Sequence, residues 1–461
     1  MSDKRQKSQY ELAFPPGARG EAPRVERGGT ESPAAKRRTE SPTSTEQLME
    51  EVCERENLKK ALRRVRANRG VAGIDGMNVE QLPAYLREHW PAIGDQLLSG
   101  TYRPQPVRRV EIAKPEGGVR KLGIPTALDR FIQQALLQVL QPRWDPTFSE
   151  HSFGFRPNRS AHEAVAQAQQ YIAEGYGWVV DIDLEQFFDR VNHDVLMGRV
   201  AKRVADKRVL KLIRAFLNAG VMEGGLESPS EEGTPQGGPL SPLLSNLLLD
   251  DLDRELKRRG HRFVRYAVDS NIYVRSERAG QRVMASVSRY ITKKLRLKVN
   301  REKSAVARPS ARTFLSFSFT SGSTPKRRIA GKALRRLRKR VRELTRRTRG
   351  ISLEQMVRGL SEYLRGWRSY FAFCQTPSVL RDLDSWVTRR LRCVAWKQWK
   401  RGRKRFATLV KRDVGRRLAA QTAGSSHGPW HLSRSPALHY ALPDVFFTSL
   451  GLPKLDTRSN V

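Results

Sequence analysis

The sequence predicts a mixed helix-and-strand unit, α/β or α+β, followed by an all-helical and strongly basic region. Between about residues 100 and 320, short apolar runs alternate with segments of helical periodicity. Beyond them, residues 326–349 hold 13 Lys and Arg in 24 positions, and apolar residues recur there at helical spacing. This run predicts an amphipathic helix with a basic outer face. Further helical patterns continue to about residue 418.

The composition indicates an anionic partner. The 461 residues include 86 Lys and Arg against 47 Asp and Glu, a formal net charge of +39. Self-repulsion of that size opposes folding, so a polyanion is the economical explanation, with nucleic acid favoured over a membrane surface. The sequence has no apolar run that could span a bilayer and no secretory signal. Its three cysteines are isolated, which argues against a disulfide framework or a cysteine zinc site and favours a reducing cytoplasm.

The first 45 residues have the composition of a disordered leader, because they are rich in small, polar and charged residues and poor in large apolar ones. A helical pattern begins behind the capping residues at 44–47. Near the other end, Gly424-Ser425-Ser426 predicts a linker that leads into a short tail.

Two basic strands flank a Glu-Gly-Gly turn at 116–118 and predict a β-hairpin. Its basic side chains suit the phosphates of a template or an incoming nucleotide. They are Arg109, Lys114, Arg120 and Lys121. A solvated surface hairpin explains the same pattern, so the residues alone leave both interpretations open.

An apolar strand that begins at Trp178 ends in carboxylates. Alternation places Asp181 and Asp183 on one face and the apolar residues between them on the other. Carboxylates at the end of a core strand are costly unless they are paired or bind a metal, and their oxygens suit Mg²⁺. Polar residues at a strand end are the simpler alternative.

A glycine-rich loop at 233–242 precedes a helix with a leucine stripe. Glycines allow backbone to come close to a ligand, and the stripe predicts a buried helix face. The ten-residue string GTPQGGPLSP is far more specific than a generic Gly-Gly loop.

Together these segments resemble the group II intron-encoded reverse transcriptase/maturase family, in an endonuclease-lacking form. The resemblance covers the chain from about residue 45 onward. Its blocks are LGIP at 122–125, FGFRP at 153–157, DIDLEQFFD at 181–189, TPQGGPLSP at 234–242, RYAVDSNIYV at 265–274, FLSF at 314–317 and YLRGWRSYF at 363–371.

The resemblance implies an α+β right-hand polymerase with fingers and palm, followed by an all-α basic thumb/maturase region. The implied division is a disordered leader at 1–45, fingers with an N-terminal extension at 46–175, a palm with the catalytic hairpin at 176–322, a helical thumb/maturase region at 323–418 and a tail at 419–461 with a DNA-binding role. It further implies intron RNA, target DNA and deoxynucleoside triphosphates as partners, no membrane, and a cytoplasmic protein that joins the nucleoid when bound to DNA. The oligomeric state stays open.

The resemblance also implies site residues. Asp183 and Asp269 would be catalytic and, with the backbone carbonyl of Leu184, would hold Mg²⁺. Phe188 would lie beside the sugar and disfavour ribonucleotides. The groups implied around the nucleotide are Phe188, Gln236, Gly237, Arg120 and Lys114.

One expected aspartate is missing. The family's palm hairpin reads Tyr-Ala-Asp-Asp, whereas this chain has Val268 in front of Asp269. Valine has no lone pair for a metal, and a β-branched residue is unfavourable in a tight turn, which we expect at 267–271. Losing one ligand of a two-metal site would cost about a thousandfold in rate, with Asp269 and Asp181 left to compensate in part. Ser316, where the family has glycine, is a milder departure.

Three functions remain open from the sequence. The first is an RNA-directed DNA polymerase and maturase; the second is a maturase that only binds RNA and assists splicing. The third is another palm polymerase, RNA-dependent RNA polymerase or primase-like, against which Phe188 argues. We further expect that the protein binds target DNA through the basic segment at 397–405, which includes Trp399, but does not cut the second strand, because no metal-ligand cluster is visible near the C-terminus.

Overall fold

The computed structural model describes residues 46–113, 117–223, 226–228, 232–234 and 237–456. The predicted leader at 1–45 lies outside the described residues, as do Lys114 and Gln236. The described residues all belong to one structural unit, Pro42–Val461.

Helices with buried apolar faces form the N-terminal part. They are α1 (Leu48–Cys53), α2 (Arg55–Ala67), α3 (Leu82–Ser99), α4 (Ala127–Trp144) and α5 (Ala161–Ala173). The start of α4 is fixed by Thr126, which accepts a hydrogen bond from the backbone N–H of Asp129. The start of α5 is fixed by a capping box in which the side chains of Ser160 and Glu163 bind each other's backbone.

The predicted basic hairpin is confirmed. Strands β1 (Val107–Ala113) and β2 (Val119–Ile124) pair antiparallel. They join β4 (Val221–Glu223) and β5 (Leu226–Ser228) in a sheet of order β2-β1-β4-β5. The hairpin is therefore anchored to the chain that precedes the glycine-rich loop.

A second sheet, of order β6-β7-β3-β8, carries the carboxylates. Its strands are β3 (Trp178–Ile182), β6 (Arg262–Tyr266), β7 (Asp269–Val274) and β8 (Ala305–Ala307), and all of its pairings are antiparallel. The helices between them are α6 (His193–Val200), α7 (Lys207–Asn218), α8 (Ser241–Arg258) and α9 (Glu277–Tyr290). The leucine stripe of α8 is buried, as predicted, because that helix lies in the main apolar core.

The C-terminal part is helical after a short hairpin of β9 (Phe317–Phe319) and β10 (Arg327–Ile329). Its helices are α10 (Gly331–Leu344), α11 (Leu353–Phe371), α12 (Pro377–Gln398), α13 (Gly402–Lys411), α14 (Arg416–Ala423), α15 (Pro429–Leu432), α16 (Pro436–Ala441) and α17 (Asp444–Ser449). The basic helix is shorter than the basic run at 326–349, because Arg327–Ile329 pairs with β9 instead.

The tail packs against the helices that precede the predicted linker at 424–426. Leu438 and Phe447 are fully buried in the same apolar cluster as the helices before them. Arg389 of α12 lies 3.8 Å from the ring centre of Trp430, and Arg392 binds Asp444 at 2.6 Å. Packing therefore continues through the Gly-Ser-Ser segment to the end of the described chain.

Two structural elements cross the predicted division of the chain. The β9–β10 hairpin spans the boundary at 322/323, and α14 spans that at 418/419. The apolar side chains form two clusters, one of α1–α4 with the helices around the carboxylate sheet and one that runs from α5 to the C-terminal helices. Among the described residues, no helix combines the length and the apolar character that crossing a membrane requires.

Candidate active site

Asp183 and Asp269 face each other at one end of the carboxylate sheet. The β3–β7 ladder ends with Ile182 opposite Ser270. Continuing this antiparallel register by one position brings Asp183 opposite Asp269, with backbones about 5 Å apart. The two predicted catalytic aspartates therefore come from adjacent strands and share one face, which Asp181 also shares.

The turn before Asp269 is tighter than predicted. The sequence suggested a turn over 267–271, but β7 begins at Asp269 and only Ala267 and Val268 lie between the paired residues Tyr266 and Asp269. Ala267 has the left-handed φ of +56° that such a short connection requires. Val268 is half-buried and packs against the main apolar core.

Arg265 holds this turn from behind. Its side chain is completely buried and donates to both oxygens of Asp253 at 2.8 and 2.6 Å. It also donates to the carbonyl of Ala267 at 2.8 Å and to Asn246 at 2.9 Å. A buried pair of this kind is stable because nearly every donor is satisfied, so the position of Asp269 is linked to helix α8.

Gly154, in the FGFRP loop, lies against the other side of the turn. A Cβ atom at this position would be 2.1 Å from the backbone nitrogen of Ala267. The carbonyl of Gly154 accepts from Asn246 at 2.9 Å, which also binds Arg265. The loop and the turn are thus held by the same asparagine.

The backbone of Asp183 is fixed by the segment after the π-helical turn at Ile291–Leu295. Its N–H donates to the hydroxyl of Ser304 at 3.0 Å, and its carbonyl accepts from the N–H of Asn300 at 2.9 Å. Leu184 forms a backbone bridge with Val299. The strand end that carries Asp183 is therefore held from a third element.

The carboxylates repel one another. Asp269 is exposed at the surface of the protein. Protein packed around its carboxylate nevertheless displaces solvent, and this desolvation, followed by the charges of Asp181 and Asp183, raises its pKa to about 6. Burial also raises the pKa of Asp181, and the Arg312 guanidinium opposes that shift. The site therefore has negative charge in excess of its own cations.

Asp181 is already occupied. One of its oxygens accepts from Arg312 at 2.9 Å, and the other accepts from the amide of Asn271 at 3.0 Å in the orientation that satisfies both groups. Its carboxylate is therefore engaged by protein donors, which leaves Asp183 and Asp269 as the carboxylates of this face without such a partner among the described residues.

The donor set fits a divalent cation incompletely. Excess negative charge and carboxylate oxygens favour Mg²⁺. However, the described residues contain no group of three or more His, Cys, Asp or Glu that could hold a metal ion. Asp183, Asp269 and the Leu184 carbonyl would hold it, and Val268 stands where the expected further carboxylate is absent.

Three predicted motifs meet at one cavity. A cavity of about 90 Å³ is lined by Phe188, by Gly123 of the LGIP segment and by Gly233 and Thr234 of the glycine-rich loop. It is too small to enclose a nucleotide. The N–H of Thr234 donates to the carbonyl of Phe188 at 2.6 Å, which fixes the loop to the 3-10 turn at Phe187–Asp189 that follows β3.

The basic hairpin turns one face toward this cavity. Arg109 and Lys121 line it together with the acidic residues Asp189 and Glu232, whereas Arg120, the residue before Lys121 on β2, does not. The side chains of Arg120 and Lys121 point to opposite faces because they are neighbours on a strand, although Leu122 also borders the cavity. Gly237 lies close to the same hairpin, since a Cβ there would be 2.7 Å from the carbonyl oxygen of Gly123.

The roles of Arg265 and Gly154 were not predicted from the sequence. A signal was available for Arg265, because a charged residue between Val264 and Tyr266 in an apolar strand requires a buried partner. Nothing local indicated the contact between Gly154 and a turn more than a hundred residues later.

Comparison with known proteins identifies the two parts of the chain. Residues 112–319 match the family model described as reverse transcriptase (RNA-dependent DNA polymerase). Residues 334–412 match the maturase-specific domain of group II introns. The chain belongs to the group II intron-encoded reverse transcriptase/maturase family. The predicted α+β polymerase fold followed by a helical region is thereby confirmed.

Curated relatives agree with this family assignment. Protein YkfC of Escherichia coli is 38% identical over 181 residues, which cover 38% of this chain and 48% of that protein. The group II intron-encoded protein LtrA of Lactococcus lactis is 37% identical over 155 residues, 33% of this chain and 26% of that protein. The matches thus span from about half to about a quarter of these relatives.

More distant matches include nuclear intron maturase 1 of Arabidopsis thaliana, a mitochondrial protein that is 37% identical over 93 residues, 20% of this chain and 13% of that protein. Among solved structures, a partial Cas6-RT-Cas1–Cas2 complex is 23% identical, with a TM-score of 0.36 over 54% of this chain and 43% of that chain. That score is too low to support a comparison of the two architectures.

Proposed function

We propose that the protein binds its group II intron RNA, assists its splicing and copies RNA into DNA, with a polymerase activity that Val268 reduces. The observation that carries the polymerase part is the placement of Asp183 opposite Asp269 on adjacent strands. The basic hairpin, the glycine-rich loop and Phe188, which follows Asp183 by five residues, meet at one cavity.

In this reaction the chain's own groups position the reactants. Arg109 and Lys121 supply positive charge beside the cavity, where the phosphates of a deoxynucleoside triphosphate would lie. Phe188 at the cavity wall would stand against the sugar and disfavour a 2′-hydroxyl. When bound, Mg²⁺ would neutralise charge that develops on the phosphates.

Primer extension on an RNA template tests the polymerase part. We expect Mg²⁺-dependent extension by V268D and none by the V268D/D183A double variant, because Asp183 is an indispensable oxygen ligand. Extension that persists in the double variant would refute the assignment of Asp183. Circular dichroism of both variants would show that the fold is retained.

A maturase without polymerase activity is the second candidate, and two observations favour it. Val268 offers no ligand, and Asp181 is held by Arg312 and Asn271 and so is not available to replace one. Splicing chemistry in this case belongs to the RNA, so the protein needs only to bind and stabilise it.

The outer face of α10 would provide much of that binding. Its inner residues Leu337 and Val341 are fully buried, whereas basic side chains crowd the other face. These are Arg335, Arg336, Arg338, Lys339 and Arg340. Splicing at low Mg²⁺ should survive D183A but should fail when these five are neutralised together. Equal loss in both variants would contradict separable functions.

We propose target DNA as a further partner of the segment 397–405. Its basic side chains Arg401, Arg403 and Lys404 are exposed, so phosphate contacts are available. Trp399 packs against Trp396 with ring centres 5.8 Å apart, and therefore contributes to the core more than to base stacking. Steep weakening of duplex DNA binding by added salt would support this proposal.

A further inference from the structure

A second concave surface lies at the opposite end of the carboxylate sheet. This far-end pocket, of about 480 Å³, is lined by Tyr176, residues 259–262, residues 273–275 and one face of α9. Strand β7 runs from Asp269 to Val274, so Arg275 lies about 20 Å from Asp269 at about 3.3 Å per residue. The pocket is therefore separate from the candidate active site.

The far-end pocket is basic. Arginines from three elements line it: Arg259 and Arg262 around the start of β6, Arg275 after β7, and Arg282 of α9. No acidic residue is among the described residues that line it. Burial, followed by the charge of Arg259, lowers the pKa of His261, so this histidine stays neutral at pH 7 and the arginines supply the charge.

The arginines differ in how far they are already engaged. Arg259 is bound by Glu255 at 2.6 Å, and Arg262 interacts with the hydroxyl of Tyr176 and with the more distant charge of Glu174. Arg275 and Arg282 are exposed, and neither forms an ion pair within the part of the chain that the structure describes. Two guanidinium groups at this pocket are thus available to an anion.

The shape of the surface favours a backbone phosphate over a nucleobase. Tyr273 is 2% exposed, and Tyr176 already has the Arg275 guanidinium 5.2 Å from its ring centre. Neither ring offers the open face that stacking of a base uses. Guanidinium groups without base-stacking rings match contacts that hold a nucleic acid in register without reading its sequence.

We propose that the far-end pocket binds phosphodiester groups of RNA through Arg275 and Arg282, independently of sequence. This proposal rests on the proposed function in one respect only, that RNA is the partner. The far-end pocket would give the carboxylate sheet a second RNA contact, so that RNA is held at both ends of this sheet.

The test measures how binding of a short RNA duplex of arbitrary sequence depends on salt concentration. Each phosphate contact contributes about 0.7–0.9 to the slope of log K against log salt. The R275A/R282A variant should therefore make this negative slope shallower by about 1.5. The matched control is R278A/R289A, which removes the same charge from exposed positions of α9 that do not line the pocket. It should change the slope by less than about 0.5.

Further arms separate the remaining explanations. R275K/R282K keeps both charges and should keep most of the wild-type slope, which excludes a loss of fold as the cause. Equal slopes for R275A/R282A and R278A/R289A would overturn the proposal, because the effect would then be one of overall charge. It would also be overturned if a nucleoside triphosphate bound wild type calorimetrically but not R275A/R282A while the RNA slopes stayed equal.

The salt-dependence test of the far-end pocket and the splicing test of the proposed function can fail independently of each other. If the protein fails to assist splicing of its intron but the slope difference is found, the far-end pocket stands and the proposed function falls. If splicing is assisted and the slopes do not differ, the opposite holds.

Discussion

Replacing Gly154 with alanine should displace the active-site turn. The new methyl group would lie 2.1 Å from the backbone nitrogen of Ala267 and 2.8 Å from its Cα. An ordinary contact needs more than 3.4 Å, so one backbone must move by about 1 Å or more. Neither is free to do so, because Asn246 holds Gly154 and Arg265 holds the carbonyl of Ala267.

Overpacking of this kind costs about 1–3 kcal/mol, and the fixed backbone on both sides favours the upper half of that range. We therefore expect G154A to lower the free energy of unfolding by about 2–3 kcal/mol in urea titration. In a V268D background, G154A should also slow nucleotide incorporation, because the displaced turn carries Asp269.

The matched control is G359A. Gly359 lies inside α11, and a methyl group added there would meet no neighbouring atom within 4 Å. Alanine there should be neutral or stabilising by up to about 1 kcal/mol, since it favours helix over glycine. A G154A protein as stable as G359A would refute the argument that the loop and the turn are rigidly packed.

Three further predictions follow from individual residues. Ser316 has a φ of +67°, so S316G should stabilise the fold by about 1 kcal/mol in thermal unfolding, whereas S316A, which keeps the strain, should not. R265A should cost about 3–5 kcal/mol because it leaves Asp253 charged and buried without its partner. R258A, which removes an exposed arginine paired with Glu255, should cost little, and equal losses in the two variants would contradict the role of Arg265. The pKa of Asp269 is raised from 3.8 to about 6, so between pH 3.8 and about pH 6 the folded protein holds a proton there that the unfolded chain releases. The free energy of unfolding should therefore fall as pH rises through that window, and D269N should reduce the fall. An unchanged pH profile in D269N would count against the raised pKa.

Patterns among residues that are close together in the sequence predicted much of this fold. Alternation in 178–184 predicted that Asp181 and Asp183 share a face, and the Glu-Gly-Gly turn predicted the β1–β2 hairpin. These features depend on neighbours along the chain, so composition and periodicity are sufficient to predict them.

Features that depend on distant partners were missed or misjudged. The sequence left Asp181 available to replace a lost ligand, but Arg312, which engages it, follows 131 residues later. The basic helix was predicted too long because pairing with β9 takes Arg327–Ile329 into a strand. The sequence predicted a linker at 424–426 and a short tail, but not that Phe447 of this tail is buried against earlier helices. Tertiary contacts outweigh local propensity in each case.

The most direct test of the account compares single-turnover incorporation of one deoxynucleotide by wild type and by V268D on an RNA template. Restoring the carboxylate should raise the rate by about a thousandfold, equivalent to about 4 kcal/mol of transition-state stabilisation. RNA affinity should be unchanged, because the substitution lies at the turn and not on a basic surface. Equal rates for the two proteins would contradict the conclusion that Val268 removes a metal ligand from an otherwise complete polymerase site.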